Sequence, residues 1–530
     1  MSEAKTFAVR NSAKRRGSVI AATASLTVLA LLFCQGCAVG PDYRRPETPT
    51  TQSYTREPLE TTASAPVAGG EAQSYKPGEE IPSQWWKLFG SDLLNELVRQ
   101  AFANNPTIDS AHAALRQAGS YVSAQRAAFF PTLGADYEAS RQREPTGTIS
   151  PSLESGESVY TLHTAQLTLA YAPDIFGLNR RAVESLVAEA EMQRFQLNAA
   201  YLTLASNVVT TAIQEASLRE QIKASEEIVA AAARMLALIQ RQAELGFSSE
   251  IDVAAQRTDL AQAEQALPPL RKELEQTRNR MAVLTGKLPA QNDTPDITLE
   301  SLQLPRELPL SLPSQLIEQR PDVRAAEAQV HAASALVGVA VANRLPQFFI
   351  SATYGGSSTQ FRRMFAEGNR FWSITGNVTQ TVFAGGALYY GQKAAEAALD
   401  QATADYRGVV LGAFQEVADT LYALDADAKE LAAAARAEQA AKKSYDLTQH
   451  QLDVGYIDTL TLLNASRAYQ QTRIALIQVQ ASRYADTVAL FQALGGGWGN
   501  QTVYSQNNNG NDGVCVVCRL PITGSSNDQP

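Results

Sequence analysis

The sequence contains few cysteines, histidines and prolines, and each scarcity excludes a class of structure. Its 530 residues include four cysteines, four histidines and 23 prolines. With so few cysteines and with histidines that are widely scattered, neither a zinc framework nor a histidine-rich metal site is predicted. Hydrophobic residues make up 45% of the chain and charged residues 19%, so most of it can fold rather than stay disordered.

Positive charge is also scarce. The net charge is −9, and it becomes −13 without the first 36 residues, which carry five bases and one acid. A nucleic-acid-binding protein would present a basic surface, so this class is excluded. The sequence also contains no nucleophile elbow, phosphate-binding loop or HExxH metal motif. We therefore expect no enzyme and no metal.

The N-terminus is a targeting signal. Arg15 and Arg16 precede an apolar run of about 15 residues, which is shorter than the roughly 20 that a membrane-spanning helix requires. The run ends at Gly36-Cys37, which resembles the cleavage and lipidation box of bacterial lipoproteins. We predict a signal peptide over 1–36 and a covalent lipid on Cys37, with no other cofactor. An ordinary signal with incidental cysteines is the alternative. Ala38 follows Cys37, and the absence of Asp there favours the outer membrane.

The chain repeats itself at an offset of 207–215 residues. Asn105-Pro106 matches Arg320-Pro321, and Leu245-Gly246-Phe247 matches Val454-Gly455-Tyr456. We predict repeat 1 over 91–286 and repeat 2 over 319–498, with the Pro-rich segment 287–318 connecting them. An extended N-terminal arm over 37–90 precedes the repeats, and a mobile polar tail over 499–530 follows them.

Each repeat contains a segment pair with period-two alternation. In repeat 1 the hairpin is predicted over about 132–171, and in repeat 2 over about 347–382. One set of side chains is apolar, and the other is polar, including Asp136, Glu138, Thr164, Gln166 and Thr168. This alternation suits a membrane barrel wall with a polar lumen, although a half-buried hairpin on a soluble sheet would show the same pattern. Trp372 and Tyr171 are candidate membrane-interface anchors, with core packing as the alternative.

Long helices complete each repeat. Residues 179–245 contain neither glycine nor proline, which predicts a helix of roughly 100 Å at about 1.5 Å per residue. A return helix over 250–285 follows, and Pro268-Pro269 should kink or break it. In repeat 2, the corresponding helices are predicted over 387–454 and 458–494. Ahead of the first hairpin, a single helix is expected over 93–129, ending at Pro131.

The number of strands dictates how the chain assembles. Two strands in each repeat give four per chain, whereas the smallest bacterial barrels have eight. A sheet edge cannot remain unpaired in lipid, so membrane-spanning strands would have to form a barrel shared between chains. This geometry does not choose between two, three and four chains.

Short motifs occur in a fixed order over about 36–498. They are Gly36-Cys37-Ala38-Val39-Gly40-Pro41-Asp42-Tyr43-Arg44-Arg45-Pro46, Trp85-Trp86, Phe130-Pro131, Asp174-Ile175-Phe176-Gly177, Arg320-Pro321-Asp322-Val323-Arg324 with Ala326-Glu327, Phe383-Ala384-Gly385-Gly386, 413–419 and 493–498. This ordered series resembles the TolC-like outer-membrane factor family, specifically the lipoprotein (NodT-type) branch of resistance–nodulation–division efflux systems. The resemblance implies a mixed α and β fold in which a homotrimer shares a twelve-stranded barrel and an α-helical periplasmic tunnel. It also implies a passive exit duct for small molecules, with a periplasmic adaptor (membrane fusion) protein and an inner-membrane pump as partners.

The same resemblance implies site residues. Leu460 would form a hydrophobic ring at the periplasmic gate, and Asn464 the ring below it, where the lipoprotein branch commonly has an acid. Arg467 would tether neighbouring helices at the gate; for all three residues, plain helix packing is the alternative. The adaptor would contact the tips of the helical hairpins. These tips contain Gly246, Phe247, Gly455 and Tyr456.

Two classes of function therefore remain open. The first is an outer-membrane exit duct, and the second is a structural or adhesive lipoprotein with long coiled rods and no channel. Cys515 and Cys518 form a lone CxxC pair in a polar tail, for which an incidental disulfide or free thiols are expected. The transported substrate cannot be predicted, because cargo is selected largely upstream of such a duct.

Overall fold

The computed structural model describes residues 38–47, 51, 53–143, 159–291, 293–454, 456–457 and 459–497. The predicted signal peptide, Cys37, Gly455 and the tail with Cys515 and Cys518 lie outside these ranges. The chain divides into two units. The strand unit comprises residues up to Arg45, Gln117–Glu191 and Ala328–Ala404, and the helix unit comprises the remainder.

The secondary structure follows the internal repeat. In chain order, the strands and α-helices among the described residues are β1 (Ser74–Pro77), α1 (Asp92–Asn104), α2 (Pro106–Arg126), β2 (Thr132–Arg143), β3 (Val159–Tyr171), α3 (Leu178–Glu244), α4 (Glu250–Leu284), β4 (Glu307–Leu310), α5 (Pro313–Gln319), α6 (Pro321–Ala342), β5 (Gln347–Ser358), β6 (Arg370–Thr379), α7 (Ala387–Asp453) and α8 (Thr459–Ala493).

The strand unit contains a four-stranded antiparallel sheet in the order β2-β3-β5-β6. Its outer pairs are the two predicted hairpins, and the central pairing of β3 with β5 joins the two repeats. Because side chains alternate across a strand, the register places one set of apolar residues on a single side, which we term the apolar face. A shallow cavity of about 270 Å³ lies on this face. Its lining includes Leu133, Leu167, Leu169, Tyr354, Trp372 and Ile374.

The helix lengths reproduce the duplication. The long helices α3 and α7 each contain 67 residues, and the return helices α4 and α8 each contain 35. The expected break in α4 is wrong, because the helix is continuous across Pro268 and Pro269. Both prolines are exposed, so water can satisfy the carbonyls that lose their intrahelical partners.

The single helix expected over 93–129 is also wrong. It divides into α1 and α2 at Asn105, whose backbone is extended before Pro106. The amide of Asn105 donates to the carbonyl of Leu284 at the end of α4, at 2.9 Å. The equivalent residue in repeat 2, Arg320, donates from Nη1 to the carbonyl of Ala493 at the end of α8, at 2.8 Å. Each repeat therefore uses the residue before a proline to cap its return helix.

Part of the N-terminal arm packs into the helix unit. Within it, β1 pairs in parallel with β4, so the connector between the repeats also carries a short strand. Trp85 and Phe89 are fully buried, and Trp85 stacks on Phe491 of α8 with ring centroids 5.4 Å apart. The arm therefore contributes side chains to the core of this unit, although most of its described residues are exposed or half-buried.

A buried arginine fixes the same segment to α8. Arg483 is fully buried, and its Nη2 donates to the carbonyl of Glu71 at 2.6 Å and to Oγ1 of Thr62 at 3.1 Å. A buried cation is costly unless its donors have partners, and these bonds satisfy Nη2 and hold residues 62–73 against the helix, whereas Nη1 is buried without a hydrogen-bond partner among the described residues.

Among the described residues, α6 is the one helix that is long and apolar enough to cross a membrane by length and composition alone, with a mean hydropathy of 1.3. Of its most apolar window, 56% is buried within the protein, as is usual for a core helix.

Candidate functional site: helix tips, gate residues and membrane surface

The turn between α3 and α4 exposes apolar side chains. Gly246 has a φ of 80°, a left-handed conformation that ends α3 and favours glycine. Ser249 then begins α4 with a capping box, in which its Oγ accepts from the backbone N–H of Asp252 and its own N–H donates to that carboxylate. This rigid turn leaves Phe247 and Ile251 about four-fifths exposed.

The corresponding turn of repeat 2 lies between α7 and α8. Tyr456 is exposed there to a similar extent as Phe247, whereas Gly455 lies outside the described residues. Both repeats thus present an aromatic side chain to solvent at the end of a long helical hairpin.

The first turns of α8 divide into a buried and an exposed side. Leu462 and Leu463 are buried, whereas Leu460 is 56% exposed and Asn464 is also exposed. Leu460 and Asn464 are four residues apart, so they lie above one another on the same side of the helix. The structure therefore places these two predicted gate residues together on a solvent-facing surface.

Arg467 contacts a residue of another helix. Its Nε lies 2.8 Å from Oδ1 of Asp259 on α4, and the Asp259 side chain is only 7% exposed. This ion pair joins the return helices of the two repeats. Sequence analysis did not identify Asp259, because an isolated acid in a helix gives no signal of its partner about 200 positions away.

Further polar contacts fix α8 beyond Arg467. Arg473 donates to Glu227 of α3 at 2.6 Å, and Gln478 donates to Gln221 of α3 at 3.1 Å. Burial alone would lower the pKa of Arg473, but the hydrogen bond and charge of Glu227 outweigh it and raise the pKa. The guanidinium is therefore charged, and α8 is held to both α3 and α4 of repeat 1.

The side of the sheet opposite the apolar face is polar. Asp136 lies opposite Gln166 and Glu138 opposite Thr164, and Thr164 Oγ1 contacts Ser357 Oγ at 3.0 Å. Thr168, opposite Gly134, lies on the same side, so all five residues predicted to line a lumen share it. Trp372 is largely exposed on the apolar face, whereas Tyr171 is half-buried.

The residues that directly follow Cys37 are anchored to the strand unit. The carbonyl of Phe176 accepts from the backbone N–H of Val39 at 3.1 Å, and Arg181 Nη2 lies 2.7 Å from Asp42 Oδ1. At Gly40 an added Cβ would lie 2.4 Å from the Cα of Gly338, so only glycine fits this close backbone approach.

The chain combines a four-stranded sheet that has one apolar and one polar side with two 67-residue helices. This combination is typical of outer-membrane channel proteins. The family model described as outer membrane efflux protein matches residues 97–287 and 312–496. The chain belongs to this family, whose members are channel and transport proteins.

Relatives from Pseudomonas putida align with this chain over nearly their whole length. The chain is 30% identical over 441 residues to the pyoverdine export outer membrane protein OpmQ, covering 83% of this chain and 93% of the relative. It is also 30% identical over 481 residues to the solvent efflux pump outer membrane protein SrpC, covering 89% and 98%.

Solved structures share the fold. The outer-membrane channel OprN superimposes with a TM-score of 0.78 and 26% sequence identity, over 87% of this chain and 100% of that one. The Campylobacter jejuni CmeC outer membrane channel, at 22% identity, gives a TM-score of 0.77 over 87% and 95%.

The chain is therefore an outer-membrane exit duct for efflux, as predicted. The alternative of a structural or adhesive lipoprotein without a channel is not supported.

Proposed function

We propose that three copies of this chain form the outer-membrane duct, each supplying four strands to a twelve-stranded barrel and its long helices to an α-helical tunnel. The observation that supports this is the sheet β2-β3-β5-β6, which has an apolar face, a polar face and two edges. In lipid each edge strand must pair, so β2 of one copy pairs with β6 of the next. Three copies match the resemblance to trimeric outer-membrane factors.

The periplasmic end of the tunnel is closed by α8. In the trimer, Leu460 forms a hydrophobic ring and Asn464 a polar ring that hydrogen-bonds across the three-fold axis. The Arg467–Asp259 pair restrains α8 in this closed position. Opening requires α8 to move away from α4, and therefore requires this ion pair to break.

The exposed turns of the helical hairpins dock a periplasmic adaptor protein, which connects the duct to an inner-membrane pump. The partly apolar tips at Gly246, Phe247, Gly455 and Tyr456 support this role. The pump supplies the energy and selects the cargo. Relatives carry names that mention pyoverdine, solvents, toluene and antibiotics, so we propose small molecules in general as cargo.

A covalent lipid on Cys37 anchors each copy to the outer membrane. The fixed positions of Val39, Gly40 and Asp42 support this role, because they hold the chain next to Cys37 against the strand unit. The lipid anchors without spanning the membrane.

The native mass of the detergent-extracted outer-membrane fraction tests the assembly. We expect a mass of three lipid-modified chains, and intact-mass analysis of the denatured chain should give a processed N-terminus with acyl groups at Cys37. A monomer in the soluble or inner-membrane fraction would contradict the shared barrel, because four strands cannot close in lipid. A trimer without acyl groups would contradict the proposed lipid anchor and leave the shared barrel supported.

A further inference from the structure

Charged residues on the apolar face of the sheet are all arginines, and they lie at one end. In the described strands, the Asp, Glu, Lys and Arg side chains on this side are Arg141, Arg143 and Arg370. The acids Asp136 and Glu138 project from the opposite side. The face therefore combines an apolar surface with a purely cationic border.

The arginine end is opposite the end at which the helical segments of the strand unit adjoin the sheet. Residue 133 of β2 lies close to the end of α2, and Arg141 lies eight residues further along. At about 3.4 Å per residue this separation is roughly 27 Å along the strand, or about 20 Å along the membrane normal at the usual strand tilt, which covers most of the apolar band of about 25 Å on an outer-membrane barrel. With the helices in the periplasm, the arginines reach the outer leaflet of the membrane.

An aromatic cluster lies directly beside this border. Tyr137 Oη contacts His163 Nδ1 at 2.9 Å, and Phe361 packs edge-on against both rings with centroids 5.9 Å away. Phe361 begins a 3-10 turn that continues with Arg362 and Arg363, both exposed. The turn thus adds two cations beside the aromatic layer that membrane proteins place at headgroup level.

The arginines are available to a ligand. Among the described residues, no ion pair is formed by Arg141, Arg362 or Arg363. Arg370 uses Nε to donate to the carbonyl of Phe365 at 2.8 Å, which orients its guanidinium. Guanidinium groups bind phosphate oxygens in paired, charge-assisted hydrogen bonds.

The shallow cavity on the apolar face lies next to the arginines and could accept acyl chains. Arg370 and Trp372 are successive residues on the same side of β6, and Trp372 lines the shallow cavity of about 270 Å³ together with Tyr354 and Ile374. A ligand that carries both phosphate groups and acyl chains would fill the two surfaces at once, whereas free phosphate would use only the arginines.

We propose that Arg141, Arg362, Arg363 and Arg370 bind the phosphate groups of a phosphorylated, multiply acylated lipid of the outer leaflet, with its acyl chains on the apolar face. The proposal rests on the membrane-spanning barrel proposed above. Such binding fixes the depth of the barrel in the membrane and attaches a specific layer of lipid to each subunit.

Native mass spectrometry of the detergent-solubilised protein tests this. The variant R141Q/R362Q/R363Q leaves Arg370 and its hydrogen bond to Phe365 in place. The control variant R257Q/R280Q/R436Q removes the same charge from exposed helical positions in the helix unit. Each protein is titrated with bisphosphorylated lipid A, with its dephosphorylated form and with inorganic phosphate.

We expect the wild type and the control to bind the bisphosphorylated lipid about 10- to 100-fold more tightly than the first variant does. The dephosphorylated lipid should bind the three proteins alike and weakly. Equal binding of both lipids by the wild type, or unchanged binding by the first variant, would overturn the proposal. Occupancy by inorganic phosphate at equal affinity would overturn the lipid assignment.

Two further measurements separate this proposal from that of the duct. Heat-resistant oligomers on electrophoresis show that the variant folds and assembles, and conductance in a planar bilayer reports the channel. A conducting trimer that binds no phosphorylated lipid would end this proposal and leave the duct intact.

Discussion

At the scale of the residue, Leu460 and its neighbours show how one turn of helix can serve two purposes. Leu462 and Leu463 are buried and hold α8 in the bundle, whereas Leu460 and Asn464 are exposed on the other side. An exposed leucine costs free energy in water, since roughly 25 cal/mol is lost for each Å² of apolar surface left unburied. In the proposed trimer, a ring of three such leucines around a narrow pore would recover part of this cost and resist wetting.

Replacing Leu460 tests that role. Leu460→Ala should raise ion conductance in a planar bilayer by about two-fold or more, because a wider and less apolar ring is easier to hydrate. Leu238→Ala is the matched control, since Leu238 is 44% exposed on α3. Unchanged conductance in Leu460→Ala, or an equal rise in the control, would remove Leu460 from the gate.

At the scale of the element, α8 is held by contacts to the long helix α3 and the return helix α4 of repeat 1. Arg467 contacts Asp259 on α4, and Arg473 contacts Glu227 on α3. The first pair differs from the second because its acid is almost fully buried. Removing either partner of such a pair leaves an uncompensated charge, and this charge favours movement of the helix.

A double-mutant cycle tests the restraint on α8. We expect Arg467→Gln and Asp259→Asn each to increase conductance, with a coupling free energy of about 1–3 kcal/mol between the two positions. The double variant should conduct no more than the more conductive single variant, since one ion pair is broken in all three. Arg436→Gln on α7 is the control. Strictly additive effects would show that the pair does not act as a unit.

At the scale of the whole molecule, the buried contacts of the helix unit make stability depend on pH. Asp427 on α7 lies close to Asp486 and Arg483 of α8 and to Glu430 of its own helix. Burial raises the pKa of Asp427 to about 7, and the neighbouring carboxyl of Asp486 adds to the rise, against the smaller effect of Arg483. In the unfolded chain the same group titrates near 3.8.

The sign of the pH effect follows from these two values. Between about pH 4 and pH 7 the folded state binds more protons at Asp427 than the unfolded state, so this group's contribution to stability is lost as the pH rises towards 7. Asp427→Asn should therefore stabilise the assembly at pH 8 by about 1–2 kcal/mol, after allowance for partial exposure to solvent, and by about a third of that at pH 5. Thermal midpoints of the detergent-solubilised protein at both pH values measure this. Asp446→Asn, at an exposed site on α7, should show no such difference; a pH-independent effect of Asp427→Asn would contradict the prediction.

Elements that depend on neighbouring residues were predictable from the sequence. The absence of glycine and proline over 179–245 indicates a long helix, because neither residue interrupts the local backbone hydrogen bonds there. The alternation in 132–141 likewise specifies a strand and its two faces, since a shift of one residue would exchange them. The helix boundary at Asn105 was not predicted, because α1 and α2 together have a continuous helical composition. The one local signal is Pro106, which restricts the backbone of the residue before it.

Contacts between distant residues were decided by the tertiary structure. The pairing of β3 with β5 joins the two repeats, yet each strand alone has several equally suitable partners. The bond between Arg467 and Asp259 and the burial of Trp85 against Phe491 likewise depend on how helices pack. The sequence by itself determined the class of elements, their duplication and the sides they present, because these are properties of backbone and side-chain periodicity. Only the folded chain decided which charges meet and which apolar side chains stay exposed, because those depend on distances between segments that periodicity does not contain.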